Sequence, residues 1–69
     1  MKIIDIEKLK IGDQIFAFDF NLLTWSKCEV TLIEKYLITL EDVEGTLKGI
    51  PWYETINRLK DPDYYRPAG

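Results

Sequence analysis

The stretch of sequence that decides the fold is residues 25–34, which read Trp-Ser-Lys-Cys-Glu-Val-Thr-Leu-Ile-Glu. Cys28, Val30 and Leu32 fall on one side of an extended chain, and the other side carries the charged residues. Alternation with a period of two is typical of a strand that buries one face. We therefore predict a strand over this stretch, with Cys28, Val30 and Leu32 facing the core.

The segments on both sides of this stretch also carry strand signals. β-Branched and aromatic residues are dense over residues 14–20, and apolar side chains alternate over residues 36–41. Both features favour strands. Two shorter segments, residues 46–50 and 56–60, complete a predicted set of five strands. The fourth strand is expected to end at Pro51, because proline has no N–H to donate to a sheet.

The ends of the chain and one internal segment are predicted to be helical or irregular. Asp5 is placed to cap a single helical turn near the N-terminus. Residues 52–55 are expected to form one further helical turn. Residues 61–69 contain two prolines and show no apolar period. They are predicted to form an irregular tail, which becomes ordered only if Tyr64 and Tyr65 pack against the domain.

The predicted fold class is all-β: a five-stranded small barrel with a short N-terminal helical turn and an irregular C-terminal tail. Several short strands with brief connections favour a small, strongly curved barrel. Closure of the barrel also removes the two edges that an open sheet would expose. Because the chain has only 69 residues, it is expected to hold one barrel domain over residues 1–60, followed by a tail over residues 61–69.

Four short segments resemble the SH3-like small barrels, particularly those of the Tudor and chromo-barrel type. They are Gly-Asp-Gln-Ile-Phe-Ala at 12–17, Trp-Ser-Lys-Cys-Glu-Val at 25–30, Tyr-Leu-Ile-Thr-Leu at 36–40 and Gly-Ile-Pro-Trp-Tyr at 49–53. The resemblance covers roughly residues 11–60. It implies an SH3-like barrel with an aromatic-lined recognition face and no catalysis.

In Tudor-like domains the recognition face holds a methylated lysine or arginine, through attraction of the cation to a cage of rings. The positions that match this cage are Phe20, Trp25, Tyr36 and Trp52. The acidic residue that often helps such a cage has no firm counterpart in this chain. The full set of predicted binding residues is Phe20, Trp25, Lys27, Tyr36, Trp52 and Tyr53, with Glu29 and Glu54 joining Lys27 in a polar rim.

The inventory of reactive residues argues against an enzyme. The chain has no histidine and a single cysteine, Cys28. It therefore lacks the commonest general base, cannot form an internal disulfide and cannot build a Cys/His zinc site. Cys28 is expected to act as a small buried hydrophobe, and the acidic residues of 41–44 are expected to form a solvated turn. We predict no catalytic activity, no cofactor and no metal.

The charge of the chain favours a protein over a nucleic acid as its partner. The net charge is −3, whereas proteins that bind nucleic acids need lysine and arginine to neutralise phosphates. No apolar run is long enough to span a membrane. The lone thiol and the absence of an export signal predict a cytoplasmic protein. Association into a homo-oligomer is left open.

The leading functional hypothesis is a non-catalytic protein-interaction domain that uses an aromatic surface. Tryptophan and tyrosine are favoured at binding hot spots, and aromatic residues make up 13% of the chain. One alternative is a single-stranded nucleic-acid binder. In that case Trp25 and Phe18 or Phe20 would stack on bases while Lys27 and Lys48 met phosphates. The other alternative is a small inhibitor or ligand-sequestering protein.

Overall fold

The computed structural model describes residues 2–45 and 48–68, and these form a mainly β structure. Five antiparallel strands make one sheet in the order β4-β3-β2-β1-β5. The predicted five-stranded, all-β class is thereby confirmed. The elements in chain order are a 3-10 turn at Ile6–Lys8, β1 at Gln14–Asp19, β2 at Thr24–Ile33, β3 at Leu37–Asp42, β4 at Pro51–Thr55, helix α1 at Ile56–Leu59 and β5 at Tyr65–Pro67.

The N-terminal turn forms as its capping residue predicts. The side chain of Asp5 accepts a hydrogen bond from the backbone N–H of Glu7 at 3.2 Å. Such a bond satisfies one of the N–H groups that the first turn leaves without a backbone partner. Ile4, just before the cap, is buried in the core. The segment that leads into the short turn therefore packs against the sheet through Ile4.

The sheet has two different faces, which we call the inner and the outer face. Strand pairing places Val30 opposite Leu40, and Leu40 opposite Trp52, on the inner face. Side chains of this face form the core together with Ile4, Leu59 and Tyr65. On the outer face, Phe18 lies opposite Trp25. The fully buried side chains are Cys28, Val30, Ile38, Leu40 and Leu59.

The predicted buried face of β2 is confirmed at Cys28 and Val30 and is wrong at Leu32. Cys28 and Val30 are fully buried, whereas Leu32 is 45% exposed. The register between β2 and β3 shifts between Val30 and Leu32. Because a bulge adds one residue to one strand, it moves the next side chains to the opposite face. Alternation alone could not show where this shift occurs.

The predicted elements after residue 45 lie in the wrong places. The expected fourth strand, residues 46–50, falls partly outside the described residues, and residues 48–50 hold only an isolated bridge and a turn. β4 begins at Pro51 instead of ending there, and it replaces the helical turn expected over residues 52–55. Proline is tolerated here because it is the first residue of a strand at the edge of the sheet.

The segment predicted as the last strand, residues 56–60, forms helix α1. Thr55 caps this helix, since its hydroxyl oxygen accepts a hydrogen bond from the backbone N–H of Arg58 at 3.2 Å. Leu59 turns from the helix into the core and is fully buried. A helical turn therefore connects β4 to the final strand.

The expected irregular tail contains β5 instead. Tyr65 lies opposite Ala17 and Pro67 lies opposite Ile15, so β5 extends the sheet beyond β1. Docking of Tyr65, which was the condition for an ordered tail, does occur, and its ring is buried in the core. The area that a tyrosine ring buries accounts for the order of this segment.

Candidate functional site

A cavity of about 310 Å³ opens at one end of the inner face. It lies between the end of β1, the start of β4, helix α1 and the residues that lead into β5. Aromatic rings and carboxylates line it together. The rings are Phe18, Phe20, Trp52, Tyr64 and Tyr65, and the carboxylates are Asp19, Asp42 and Glu54.

Phe20 reaches the cavity because Asp19 fixes the turn after β1. One carboxylate oxygen of Asp19 accepts hydrogen bonds from the N–H groups of Asn21 at 2.8 Å and Leu22 at 3.1 Å. Aspartate favours turns through such local bonds. The ring of Phe20 is 62% exposed and lies 5.8 Å from the ring of Tyr64, centre to centre. One wall of the cavity is therefore an open pair of rings.

A chain of hydrogen bonds joins β4 to β5 across the cavity. The indole N–H of Trp52 donates to the hydroxyl oxygen of Tyr65 at 3.1 Å, and that hydroxyl donates to Glu54 at 2.6 Å. Burial first, and then the hydrogen bond to Glu54, raises the pKa of the Tyr65 hydroxyl above its usual range. The hydroxyl therefore remains a donor, and it holds Trp52 and Glu54 in place.

The floor of the cavity contains a buried carboxylate. One oxygen of Asp42 accepts hydrogen bonds from the Ser26 hydroxyl at 2.8 Å and from the N–H of Gly45 at 3.0 Å. A Cβ atom at Gly45 would overlap the other oxygen of Asp42, so the turn after β3 needs glycine at this position. Burial of a carboxylate is tolerated when hydrogen bonds compensate for the lost water.

Cys28 lies beside this carboxylate and is buried, as predicted. Burial, followed by the charge of Asp42, raises the pKa of the Cys28 thiol to about 12. A thiol that stays protonated is a poor nucleophile. At neutral pH, Cys28 therefore contributes packing to the cavity floor and no reactive thiolate.

The stability of the domain is expected to fall as the pH rises above about 9. In the unfolded chain the Cys28 thiol loses its proton near pH 9.0, whereas in the folded domain it keeps the proton to about pH 12. Above pH 9.0 the unfolded state therefore binds fewer protons, and unfolding is favoured. Urea unfolding at several pH values measures the slope of the free energy of unfolding against pH. In Cys28→Ala it should be shallower by up to about 1.4 kcal/mol per pH unit, and identical slopes would contradict this assignment.

The structure brings together only part of the predicted binding set. Phe20 and Trp52 line the cavity. Trp25 and Lys27 lie on the outer face, opposite Phe18 and Phe16 in the neighbouring strand. The remaining two predicted residues, Tyr36 and Tyr53, are 71% and 70% exposed, Tyr36 just before β3 and Tyr53 on the outer face of β4.

Trp25 and Trp52 thus lie on opposite faces of the sheet, so the predicted cage does not form as one surface. Arg66 stacks on the ring of Trp25, with its guanidinium carbon 4.3 Å from the ring centre. Phe18 meets the same ring edge to face at 5.3 Å. The rim residue Glu29 also lies on the outer face, whereas Glu54 points into the cavity.

Sequence reasoning missed the role of Tyr64 and of the acidic residues. Tyr64 was considered only as part of a tail, yet it lines the cavity beside Phe20. Asp19 and Asp42 enter the site because they fall at inner-face positions where β1 and β3 end. Alternation could have placed Asp19 on the face of Ile15, but it could not show that this end of the face lines a cavity.

Metal and membrane signatures are lacking in the residues that the structure describes. Across residues 2–45 and 48–68, no group of three His, Cys, Asp or Glu side chains could hold a metal ion. No helix in the same ranges is long and apolar enough to cross a membrane.

Comparisons with known proteins give no relative for this chain. No protein-family model, no curated protein and no solved structure matches it.

Proposed function

We propose that this domain is a non-catalytic protein-interaction module, and that its cavity receives a positively charged side chain of a protein partner. The observation that carries the proposal is the lining of the cavity, where the rings of Phe20, Trp52 and Tyr64 adjoin the carboxylates of Asp19 and Glu54. The SH3-like, Tudor-type resemblance supports the same kind of ligand.

The lining suits a cation for two physical reasons. The face of an aromatic ring attracts a positive charge, and the attraction grows when water is excluded. Carboxylates add a second, longer-ranged attraction. Glu54 and Asp42 each keep their oxygens oriented by hydrogen bonds from Tyr65 and Ser26. A cationic head group entering the cavity would therefore meet acceptors that are already in position.

Binding without catalysis is supported by the chemistry of the same lining. The chain has no histidine, and the Cys28 thiol stays protonated at neutral pH because its pKa is raised to about 12. The lining therefore offers neither a histidine base nor a cysteine thiolate. We also propose a cytoplasmic location, which the unpaired thiol of Cys28 supports.

A titration followed by NMR tests the proposal. The two tryptophans give separate indole N–H signals, of which Trp52 reports on the cavity and Trp25 on the outer face. Adding tetramethylammonium chloride, a small cation that mimics a charged side-chain head, should shift the Trp52 signal in a saturable way. The Trp25 signal should stay in place, and sodium chloride at the same ionic strength controls for screening.

Two results of this titration would count against the cavity. Equal movement of both indole signals would indicate a general salt effect. An unmoved Trp52 signal would show that the cavity does not take the cation. In Asp19→Asn the shift should saturate at a higher concentration of tetramethylammonium, because one carboxylate of the lining is lost.

A second candidate function, binding of single-stranded nucleic acid, is favoured by one observation on the outer face. Phe18, Trp25, Lys27 and Arg66 lie there on neighbouring strands, and rings beside cations suit stacked bases and phosphates. The net charge of −3 opposes it. Titration with a mixed-sequence oligonucleotide would then move the Trp25 signal and leave Trp52 unchanged, which is the opposite of the pattern expected above.

A further inference from the structure

A positively charged side chain of the protein itself already lies at the cavity. Arg58 projects from α1, and its guanidinium carbon is 4.6 Å from the centre of the Tyr64 ring. Among the described residues that line the cavity, it is the one cation. Its backbone N–H bonds to Thr55, so the capping of α1 does not depend on the Arg58 side chain.

We propose that Arg58 is a resident occupant that competes with the partner's cation for the cavity and so sets its affinity. This inference rests on the proposed function. It identifies the position of one bound cationic head group: over the ring of Tyr64, in the cavity that Phe20 and the carboxylates also line. A partner must displace the guanidinium of Arg58 from that ring before its own cation can occupy the same place.

The contacts of Arg58 suit a side chain that can be displaced. Arg58 is exposed, and its guanidinium makes no hydrogen bond within residues 2–45 and 48–68. In the cavity the guanidinium lies over the ring of Tyr64. An exposed cation–π contact is weak, so a partner that adds contacts of its own can replace it. Arg66 on the outer face differs, because its Nε–H also donates to the carbonyl oxygen of Pro62 at 3.2 Å.

The experiment compares the wild type with Arg58→Met, Arg58→Lys and Lys60→Met in the tetramethylammonium titration. Methionine keeps a long side chain with a good helix propensity and removes the charge. Lysine keeps the charge and removes the planar guanidinium. Lys60 caps the end of the same helix and does not line the cavity, so Lys60→Met controls for a change in net charge.

Arg58→Met should bind roughly three- to tenfold more tightly than the wild type, and Lys60→Met should change affinity by less than about twofold. The side-chain protons of Arg58 provide a second readout. They should lose the ring-current shift of Tyr64 as tetramethylammonium saturates the wild type.

The outcomes separate this inference from the proposed function. Saturable binding with equal affinities in wild type and Arg58→Met, and with unmoved Arg58 signals, would overturn the competition and leave the cavity as the binding site. Tighter binding by Arg58→Met would also overturn it if the Arg58 signals of the wild type stayed unmoved during the titration. The gain in affinity would then come from the change in charge alone. Absence of binding in every variant would overturn both proposals.

Discussion

Replacing Leu59 with alanine is expected to lower the free energy of unfolding by about 3 kcal/mol. Leu59 is fully buried, although it lies on a helix of only four residues. Truncation removes apolar contacts and leaves a cavity in a core that cannot close around it. A 69-residue domain has a total stability of only roughly 3–10 kcal/mol, so this single change should remove a large share of it.

Urea unfolding followed by tryptophan fluorescence measures the effect, with Leu22→Ala as the matched control. Leu22 is 52% exposed in the turn after β1, and its truncation should change the free energy of unfolding by less than about 0.5 kcal/mol. If both variants lost the same stability, α1 would not contribute to the core as described. The prediction also tests the helix against the strand that sequence alone indicated at residues 56–60.

The first half of the fold could be predicted because its signals are local. Alternation over residues 25–34 and 36–41 marked β2 and β3, and the cap at Asp5 marked the N-terminal turn. The burial of Cys28 followed from the same alternation. The register shift after Val30 could not be predicted, because a bulge is fixed by the partner strand and leaves no mark in a single strand's pattern.

The second half was predicted less well because tertiary position overrides local preference there. A proline ends a strand that lies in the middle of a sheet, and Pro51 was interpreted in that way. β4 lies at an edge, where proline is tolerated. Thr55 carries a signal that could have located α1, since threonine is a favoured N-cap. β5 is only three residues long, and it is ordered by pairing with β1, which no local pattern reveals.

The candidate site could be predicted only in its chemistry. Aromatic binding residues were expected, and Phe20 and Trp52 do line the cavity. Trp25 was grouped with them because both tryptophans match cage positions of the Tudor-like barrels, yet strand pairing places the two on opposite faces. The contact between the rings of Tyr64 and Phe20 joins distant parts of the chain. Only the fold brings such residues together.

The second large effect is expected at Phe20, whose replacement by alanine should abolish capture of the protein partner. The ring forms the open wall of the cavity with Tyr64. Because the ring is mostly exposed, its loss should cost little folding stability. Aromatic side chains at the centre of a binding site often carry a dominant share of the affinity, so truncation of one ring removes much of it.

Tyr53 offers a matched control for this variant. It is another exposed aromatic residue, but it lies on the outer face of β4, away from the cavity. Tyr53→Ala removes a similar amount of exposed ring surface. Any loss of capture that comes from fewer exposed rings in general should therefore appear in both variants.

The most direct test of the central claim is a capture experiment from lysate of the source organism with wild type, Phe20→Ala and Tyr53→Ala. The account predicts a protein that is retained by the wild type and by Tyr53→Ala, is lost from Phe20→Ala, and is released by tetramethylammonium chloride but not by sodium chloride. Equal retention by Phe20→Ala and the wild type, or a loss confined to Tyr53→Ala, would contradict it.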